Sequence, residues 1–212
     1  MDPKKNIVNL VKVDLSFGGR SILEDVNCVF KFGTTYIVRG VSGVGKTTLL
    51  NMIAGYLKPN AGEIDVAQNT KIEYLFQDEM LFGNLTVREN ILIKYLKLHN
   101  SDEDFDQKVT AALERFGIKD LIDRKVGLLS GGEKQRVQLT NIYLSDPGLI
   151  LMDEPTSKLD SYNKEKITEI INQTFNGKAM IIVTHEKWPY TGECVHLTLE
   201  NRKLTLSNKQ NE

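Results

Sequence analysis

Nine consecutive residues constrain this chain most: Gly40-Val41-Ser42-Gly43-Val44-Gly45-Lys46-Thr47-Thr48. They fit the pattern G-x-x-x-x-G-K-[ST]. Before them, Thr35-Tyr36-Ile37-Val38-Arg39 reads as a buried strand; after them, residues 49–54 read as a helix stopped by Gly55. That strand–loop–helix context is what the pattern needs in order to cradle a phosphate. Phosphate oxygens need several convergent backbone N–H donors and a positive field. Glycines at 40, 43 and 45 let the backbone curl and approach closely. The first turn of the helix adds unpaired donors and the positive end of its dipole. In this reading Lys46 reaches the β- and γ-phosphates of a nucleotide, the Thr47 hydroxyl holds Mg²⁺, and Thr48 adds an α-phosphate contact.

Composition narrows the class. The 212 residues suit one domain with room for a subdomain, and the 41% hydrophobic and 26% charged content is that of an ordinary globular protein. Twenty-seven Lys and Arg against 28 Asp and Glu leave a net charge of −1, so bulk charge gives no reason to expect nucleic acid as a partner. No apolar run approaches the roughly 18 residues a membrane span needs. The start, Met1-Asp2-Pro3-Lys4-Lys5-Asn6, lacks the apolar segment of a signal peptide. Cys28 and Cys194 sit in apolar stretches without metal-ligand spacing and read as reduced core thiols.

Taken in order, residues 7–15 alternate apolar and polar and predict a strand, Phe17-Gly18-Gly19 turns the chain, and residues 22–30 predict one or two more strands. Phe17 reads either as a ring that stacks on a flat base or as a core aromatic at a strand end. Lys58-Pro59-Asn60-Ala61-Gly62 predicts a turn; Glu63-Ile64-Asp65-Val66 and residues 72–76 predict strands. Gln77 follows directly, where a polar residue at a strand's C-terminal end faces the ligand crevice of an open α/β sheet. Thr86-Val87-Arg88-Glu89 has the form of a capping box opening a helix toward Leu98. A second helix is predicted from Ser101-Asp102-Glu103-Asp104, with Phe105, Val109, Ala112, Leu113 and Phe116 at helical spacing and Gly117 as its stop. A mostly helical insert over about residues 84–145 thus interrupts the α/β pattern.

Three more stretches carry chemistry. Leu129-Ser130-Gly131-Gly132-Glu133-Lys134-Gln135-Arg136 opens a helix on a Ser-Gly-Gly turn, a second possible anion site. Leu149-Ile150-Leu151-Met152-Asp153-Glu154 is an apolar strand ending in two carboxylates. Asp153 matches the acid that helps hold Mg²⁺ in phosphate-loop ATPases, and Glu154 is then placed to orient and deprotonate an attacking water. Asp160 reads as the N-cap of a helix over 161–174. Ala179-Met180-Ile181-Ile182-Val183-Thr184 predicts a buried strand whose end presents His185 on the same sheet edge as the two carboxylates. His99 and His196 read as unremarkable, residues 194–206 as a hairpin and 207–212 as a polar tail.

With these motifs in this order the chain resembles the nucleotide-binding domain of ATP-binding cassette (ABC) proteins over about residues 7–206. The resemblance implies an α/β P-loop NTPase fold: a RecA-like core, an N-terminal antiparallel β subdomain and a helical subdomain. It implies Phe17 against adenine, the P-loop at 40–48, Gln77 as the Q-loop residue with a share in Mg²⁺ and catalysis, and Leu129–Glu133 as the LSGGE signature. Asp153 and Glu154 fall at the end of the Walker B strand, residues 157–160 form the D-loop, and His185 is the switch histidine. It further implies that two copies pack head to tail around two ATP, with Ser130, Gly131 and Gly132 of one copy on the γ-phosphate held by Lys46 of the other. The partner is then a pair of separate membrane-spanning permease subunits, and the chain a cytoplasmic ATPase, peripheral on the inner face of the membrane. A soluble ABC ATPase serving iron–sulfur cluster assembly or cell division is the alternative.

The chain also departs from the family pattern. Lys158 stands where the D-loop often has a small residue, Leu139-Thr140-Asn141-Ile142-Tyr143 replaces an alanine–arginine–alanine pattern, and Trp188-Pro189 breaks the helix usual after the switch histidine. Asn84-Leu85-Thr86-Val87-Arg88-Glu89-Asn90 suggests the lipoprotein-release, macrolide-export and cell-division subgroup.

Overall fold

The alternation at residues 7–15 does make a strand, and the strand is longer: β1 spans Asn6–Phe17 and pairs antiparallel with β2, Arg20–Lys31, a single strand. Ile7, Val8, Leu10, Val13 and Leu15 are buried along β1. Leu10 and Val13 are an odd number of residues apart, so a plain strand would point them to opposite faces. A register shift between them, with Lys12 at φ 48°, restores the inward face. On the other edge of β1 lies β4, Ala61–Val66. It begins two residues earlier than the turn predicted over 58–62 allows, because Ala61 already pairs with Asp14.

The computed structural model describes residues 5–98, 104–189 and 194–207. His99, the predicted helix start at Ser101-Asp102-Glu103 and residues 208–212 lie outside them. The chain divides into two units: Met1–Tyr74, Gly148–Pro155 and Asn176–Glu212 form the first, Leu75–Pro147 and Thr156–Phe175 the second.

Besides the three-stranded sheet, the first unit carries a six-stranded sheet. Its strands are β3 (Thr35–Arg39), β5 (Ile72–Leu75, whose last residue begins the second unit), β6 (Leu149–Asp153), β7 (Ala179–Thr184), β8 (Cys194–Glu200) and β9 (Lys203–Leu206), in the order β5-β6-β7-β3-β8-β9. β6, β7, β3 and β8 run parallel. Every residue of β6 and β7 is buried, which is why these strands read as continuous apolar runs rather than alternating ones. Helix α1, Lys46–Ile53, packs on β6 and β7 through a face that includes Leu49, Leu50, Met52 and Ile53. β8 and β9 form the predicted hairpin. Cys28 and Cys194 carry no disulfide, as expected, but are half-buried rather than core.

The second unit is helical: α2 (Val87–Leu98), α3 (Phe105–Arg115), α4 (Gly131–Leu144) and α5 (Ser161–Thr174), with α4 packed against the other three. The predicted stripe of α3 is buried throughout, and Gly117 at φ 64° ends it. Phe116 meets Tyr143 and Phe175 with ring centroids 5.9 and 6.5 Å apart. Thr86 and Glu89 form the predicted capping box: the Thr86 N–H donates to Glu89 Oε2 at 2.7 Å and the Glu89 N–H to Thr86 Oγ1 at 3.2 Å.

Candidate functional site

Three neighbouring parallel strands, β6, β7 and β3, end at one edge of the sheet. Each delivers a functional segment there: the phosphate loop after β3, Asp153 and Glu154 at the end of β6, His185 after β7. This is the crevice at the C-terminal ends of strands where open α/β sheets hold ligands.

The loop is shaped by close approaches. A Cβ on Gly40 would sit 2.6 Å from the Leu199 carbonyl oxygen of β8, so only glycine lets the loop leave β3 there. Gly45 is the N-cap of α1 at φ 112°, and a Cβ would come within 2.9 Å of Ile22 Cγ2. No side chain caps this helix start, so its first N–H groups stay available to an anion. Ser42, Gly43 and Thr47 are exposed, Val44 and Thr48 partly so. Lys46 is only 6% exposed. Its ammonium donates to the carbonyls of Gly40 at 2.8 Å and Val41 at 3.2 Å, and lies 3.4 Å from Glu154 Oε1. A buried ammonium needs such partners, and these are partners that a phosphate can replace.

Glu154 is the centre of the cluster. Its N–H donates to the Val183 carbonyl of β7 at 2.9 Å, which turns the chain out of the sheet with Glu154 at φ 48°. Such a backbone is uncommon outside glycine and costs about 1–3 kcal/mol, so the surrounding sheet must enforce it. The Glu154 Oε1 is 2.9 Å from His185 Nδ1, and the His185 N–H donates to Oε2 at 3.3 Å. One carboxylate is therefore held between an ammonium and an imidazole, with its direction fixed by both.

Asp153 differs from its neighbour. It is 3% exposed, its Oδ1 is buried without a partner, and its carboxyl is hydrogen-bonded with Thr47. Burial pushes its pKa above the ordinary carboxylate value, Thr47 opposes this, the charge of Glu154 adds to it and Lys46 opposes it. A buried, unpaired carboxylate oxygen next to a hydroxyl is the donor set a hard divalent cation takes. The residues present therefore fit Mg²⁺. One carboxylate and one hydroxyl do not make a cage, so phosphate and water oxygens must supply the other ligands.

Phe17, at the turn end of β1, is 51% exposed, so the core-aromatic reading is wrong and a flat partner is free to cover the ring. Gln77, Ser130, Gly131 and Gly132 belong to the second unit. Gln77 follows β5 after one intervening residue, Phe76. Ser130 is the N-cap of α4: its hydroxyl accepts from the Glu133 N–H at 3.3 Å, while its own N–H and O–H donate to Glu133 Oε2 at 2.7 and 2.8 Å. These bonds hold the Glu133 carboxyl below its ordinary value. A Cβ on Gly132 would stand 2.7 Å from Asn163 Oδ1, and Asn163 is bonded to Asp160 through both its N–H, at 3.0 Å, and its side-chain amide, at 2.7 Å. Asn163 gave no signal in the sequence, since an Asn three residues after an N-cap is ordinary helix surface. Among the described residues no three His, Cys, Asp or Glu side chains group as a metal site, and no helix is long and apolar enough to cross a membrane.

The model of one family, ABC transporter, matches residues 23–157. The chain is 33% identical over 197 residues to the spermidine/putrescine import ATP-binding protein PotA of Fusobacterium nucleatum, covering 87% of this chain and 52% of that protein. It is 35% identical over 184 residues to the taurine import ATP-binding protein TauB of Jannaschia sp., covering 82% and 69%. It is 33% identical over 196 residues to the ergothioneine transport ATP-binding protein EgtV of Helicobacter pylori, covering 86% and 92%. The chain thus spans about half the length of the first of these relatives. Among solved structures, CbiO1 from Clostridium perfringens, described as part of the ABC transporter complex CbiONQ, superposes with a TM-score of 0.84 at 25% identity over 96% of this chain and 88% of that one.

Proposed function

This chain belongs to the ABC transporter family as an ATP-binding domain, and from that premise we propose that it hydrolyses ATP to drive separate membrane-spanning subunits. The observation that supports this best is the cluster of Lys46, Glu154 and His185 at one sheet edge, beside the unpaired oxygen of Asp153.

The proposed steps rest on those contacts and on the family resemblance. ATP enters with Phe17 against its base and its phosphates on the open first turn of α1, where Ser42, Gly43, Val44, Gly45 and Thr48 line the loop. Lys46 exchanges the carbonyls of Gly40 and Val41, and the Glu154 carboxylate, for β- and γ-phosphate oxygens. Thr47 and Asp153 would hold Mg²⁺, and the ion would offset negative charge on the phosphates when bound. Glu154, released from Lys46, accepts the proton of a water that attacks the γ-phosphorus as the bond to the β-phosphate oxygen breaks, giving ADP and inorganic phosphate. His185 keeps its hold on Glu154 and fixes the carboxylate's direction, a positioning that its 2.9 Å contact already provides.

Two copies of the chain would close around two ATP, with Ser130, Gly131 and Gly132 of one copy on the γ-phosphate in the other. Gln77 would report on that phosphate, and its part rests on the family resemblance. A membrane-spanning partner would then place the chain on the inner face of the membrane.

Lys46→Ala should lower ATP turnover at least about 100-fold, the scale on which a positioned charge acts in transition-state stabilisation. Normal turnover in that variant removes the loop from the mechanism. Glu154→Gln should still bind ATP while hydrolysing it about 10²–10⁴-fold more slowly, the range of general-base catalysis. Light scattering should show this variant doubling in mass with ATP and Mg²⁺. A strict monomer at high protein concentration would count against closure of two copies in the isolated subunit.

A further inference from the structure

Lys158 departs from the family's D-loop pattern, and the second unit gives it a partner. Its ammonium lies 2.7 Å from Asp78 Oδ1. The next residue of the same loop, Glu79, is paired through Oε2 with Lys134 of α4 at 2.9 Å. Two adjacent carboxylates, the two residues after Gln77, are thus drawn to two different elements: one to the D-loop, the other to the signature helix. The rest of the loop is anchored by other means. The Asn90 side chain holds Phe82 by accepting from its N–H at 2.8 Å and donating to its carbonyl at 3.0 Å, and the Gly127 N–H donates to the Gly83 carbonyl at 2.8 Å. Between the end of β5 and Phe82 the loop crosses without a strand or helix, and Asp78 and Glu79 are its ionic ties. Asn163, bonded to the D-loop acid Asp160, also lies so close to Gly132 in the first turn of α4 that a Cβ there would meet it.

We propose that Lys158 is a positioning residue that, through Asp78 and with Lys134–Glu79 beside it, makes the Q-loop, the D-loop and the signature helix of one subunit shift together. This rests on the ATPase reading above. The physical form of the link decides its behaviour. Both pairs are at least partly exposed, so each is weak and open to screening by salt, unlike a buried apolar contact. Such a link can transmit a shift of the loop that senses γ-phosphate to the turn that grips it, and can break without unfolding either helix. Lys158 and Asp78 belong to the second unit and the phosphate loop's cluster to the first, so nucleotide affinity should be insensitive to the pair while turnover is not.

Charge reversal tests the pair in the full-length chain. Lys158→Glu and Asp78→Lys should each lower kcat for ATP about three- to ten-fold, the effect of losing an exposed pair and adding like-charge repulsion. KM should change less than two-fold on the same scale. The double reversal should return kcat to near its starting value, and Lys158→Arg should keep it. Hydrogen exchange gives a readout independent of turnover: Lys158→Glu should speed exchange of the amides at 77–81, and the double reversal should slow it again. If the wild-type chain turns over no ATP in a Lys46-dependent way but the exchange pattern holds, the ATPase reading falls and the link between the loops stands. Unchanged exchange at 77–81 in Lys158→Glu, or a double reversal as slow in turnover as the single variants, overturns the proposal.

Discussion

Helices α1 and α4 both begin in glycine-rich turns, and their first turns are in opposite states. At α1 the N-cap is Gly45, in a left-handed backbone with no side chain over the end. At α4 the N-cap is Ser130 in extended backbone, and Ser130 and Glu133 satisfy each other through three hydrogen bonds. The first helix end is open and waits for an anion. The second already holds one, the Glu133 carboxylate, on the donors that a phosphate arriving from a partner copy would need. Under the proposed closure of two copies, a γ-phosphate on Ser130 would have to displace the hydroxyl's bond to Glu133, while a phosphate on α1 would displace contacts of Lys46. In the proposed mechanism this difference would let ATP bind one copy before the second copy closes on it.

Gly45→Ala against Gly131→Ala should separate the two ends most. At position 45 the side chain meets both a strained φ of 112° and a methyl carbon at 2.9 Å. Loss of about 1–3 kcal/mol of stability follows, and ATP affinity should fall beyond detection by titration calorimetry. At position 131 the added carbon would touch only Leu159 Cδ2 at 3.5 Å, an ordinary contact in a helix that prefers alanine. The thermal midpoint there should hold or rise. Equal damage at both positions would remove the contrast.

The next largest effect belongs to Asp153. Burial raises its folded pKa, so its contribution to stability is present below its unfolded value of 3.8 and is lost as pH rises through the folded value. Asp153→Asn removes that loss, and in metal-free protein it should raise the midpoint at pH 7 by about 2–4 °C, the response to roughly 1 kcal/mol in a chain of this size. The advantage should vanish at pH 3.5. The same variant should forfeit Mg²⁺-dependent stabilisation by ATP, about 2.7 kcal/mol at a ligand concentration 100 times Kd. A wild-type-like shift with ATP and Mg²⁺ in Asp153→Asn would take the cation off this residue.

The open end was legible in the sequence and the closed one only in outline. Gly40, Gly45 and Lys46 belong to a fixed spacing whose chemistry dictates its residues, and β3, β6 and β7 announced themselves as apolar runs because both faces are buried. Ser130 and Glu133 likewise stand at capping-box spacing, yet the sequence marked only the Ser-Gly-Gly turn as an anion site and left its internal occupant unread. The contacts of Lys158 and Asn163 were out of reach, since they join residues separated by 80 positions in one case and packed by backbone approach in the other. Within residues 84–90, the stretch that suggested a subgroup, the buried Asn90 bonds the carbonyls of Phe82 and Thr86. None of the three relatives named above carries a lipoprotein-release, macrolide-export or cell-division name.

The smallest effect tests the closed end directly. Ser130→Ala leaves the Glu133 N–H without its acceptor and removes the hydroxyl from Oε2, so it should cost about 1 kcal/mol, as lost N-caps do. Glu133→Gln is milder, because an amide oxygen still accepts both Ser130 donors. Its signature is in pH. The Glu133 carboxyl is held below its ordinary 4.5 by the Ser130 N–H first and the Ser130 hydroxyl second. Its contribution is therefore present above about pH 4.5 and is lost as pH falls through the lower, folded value. Wild type should exceed Glu133→Gln at pH 7 and lose that margin in acid, measured by urea unfolding at each pH. A margin that persists to pH 2 would mean that packing, not the charge, closes α4.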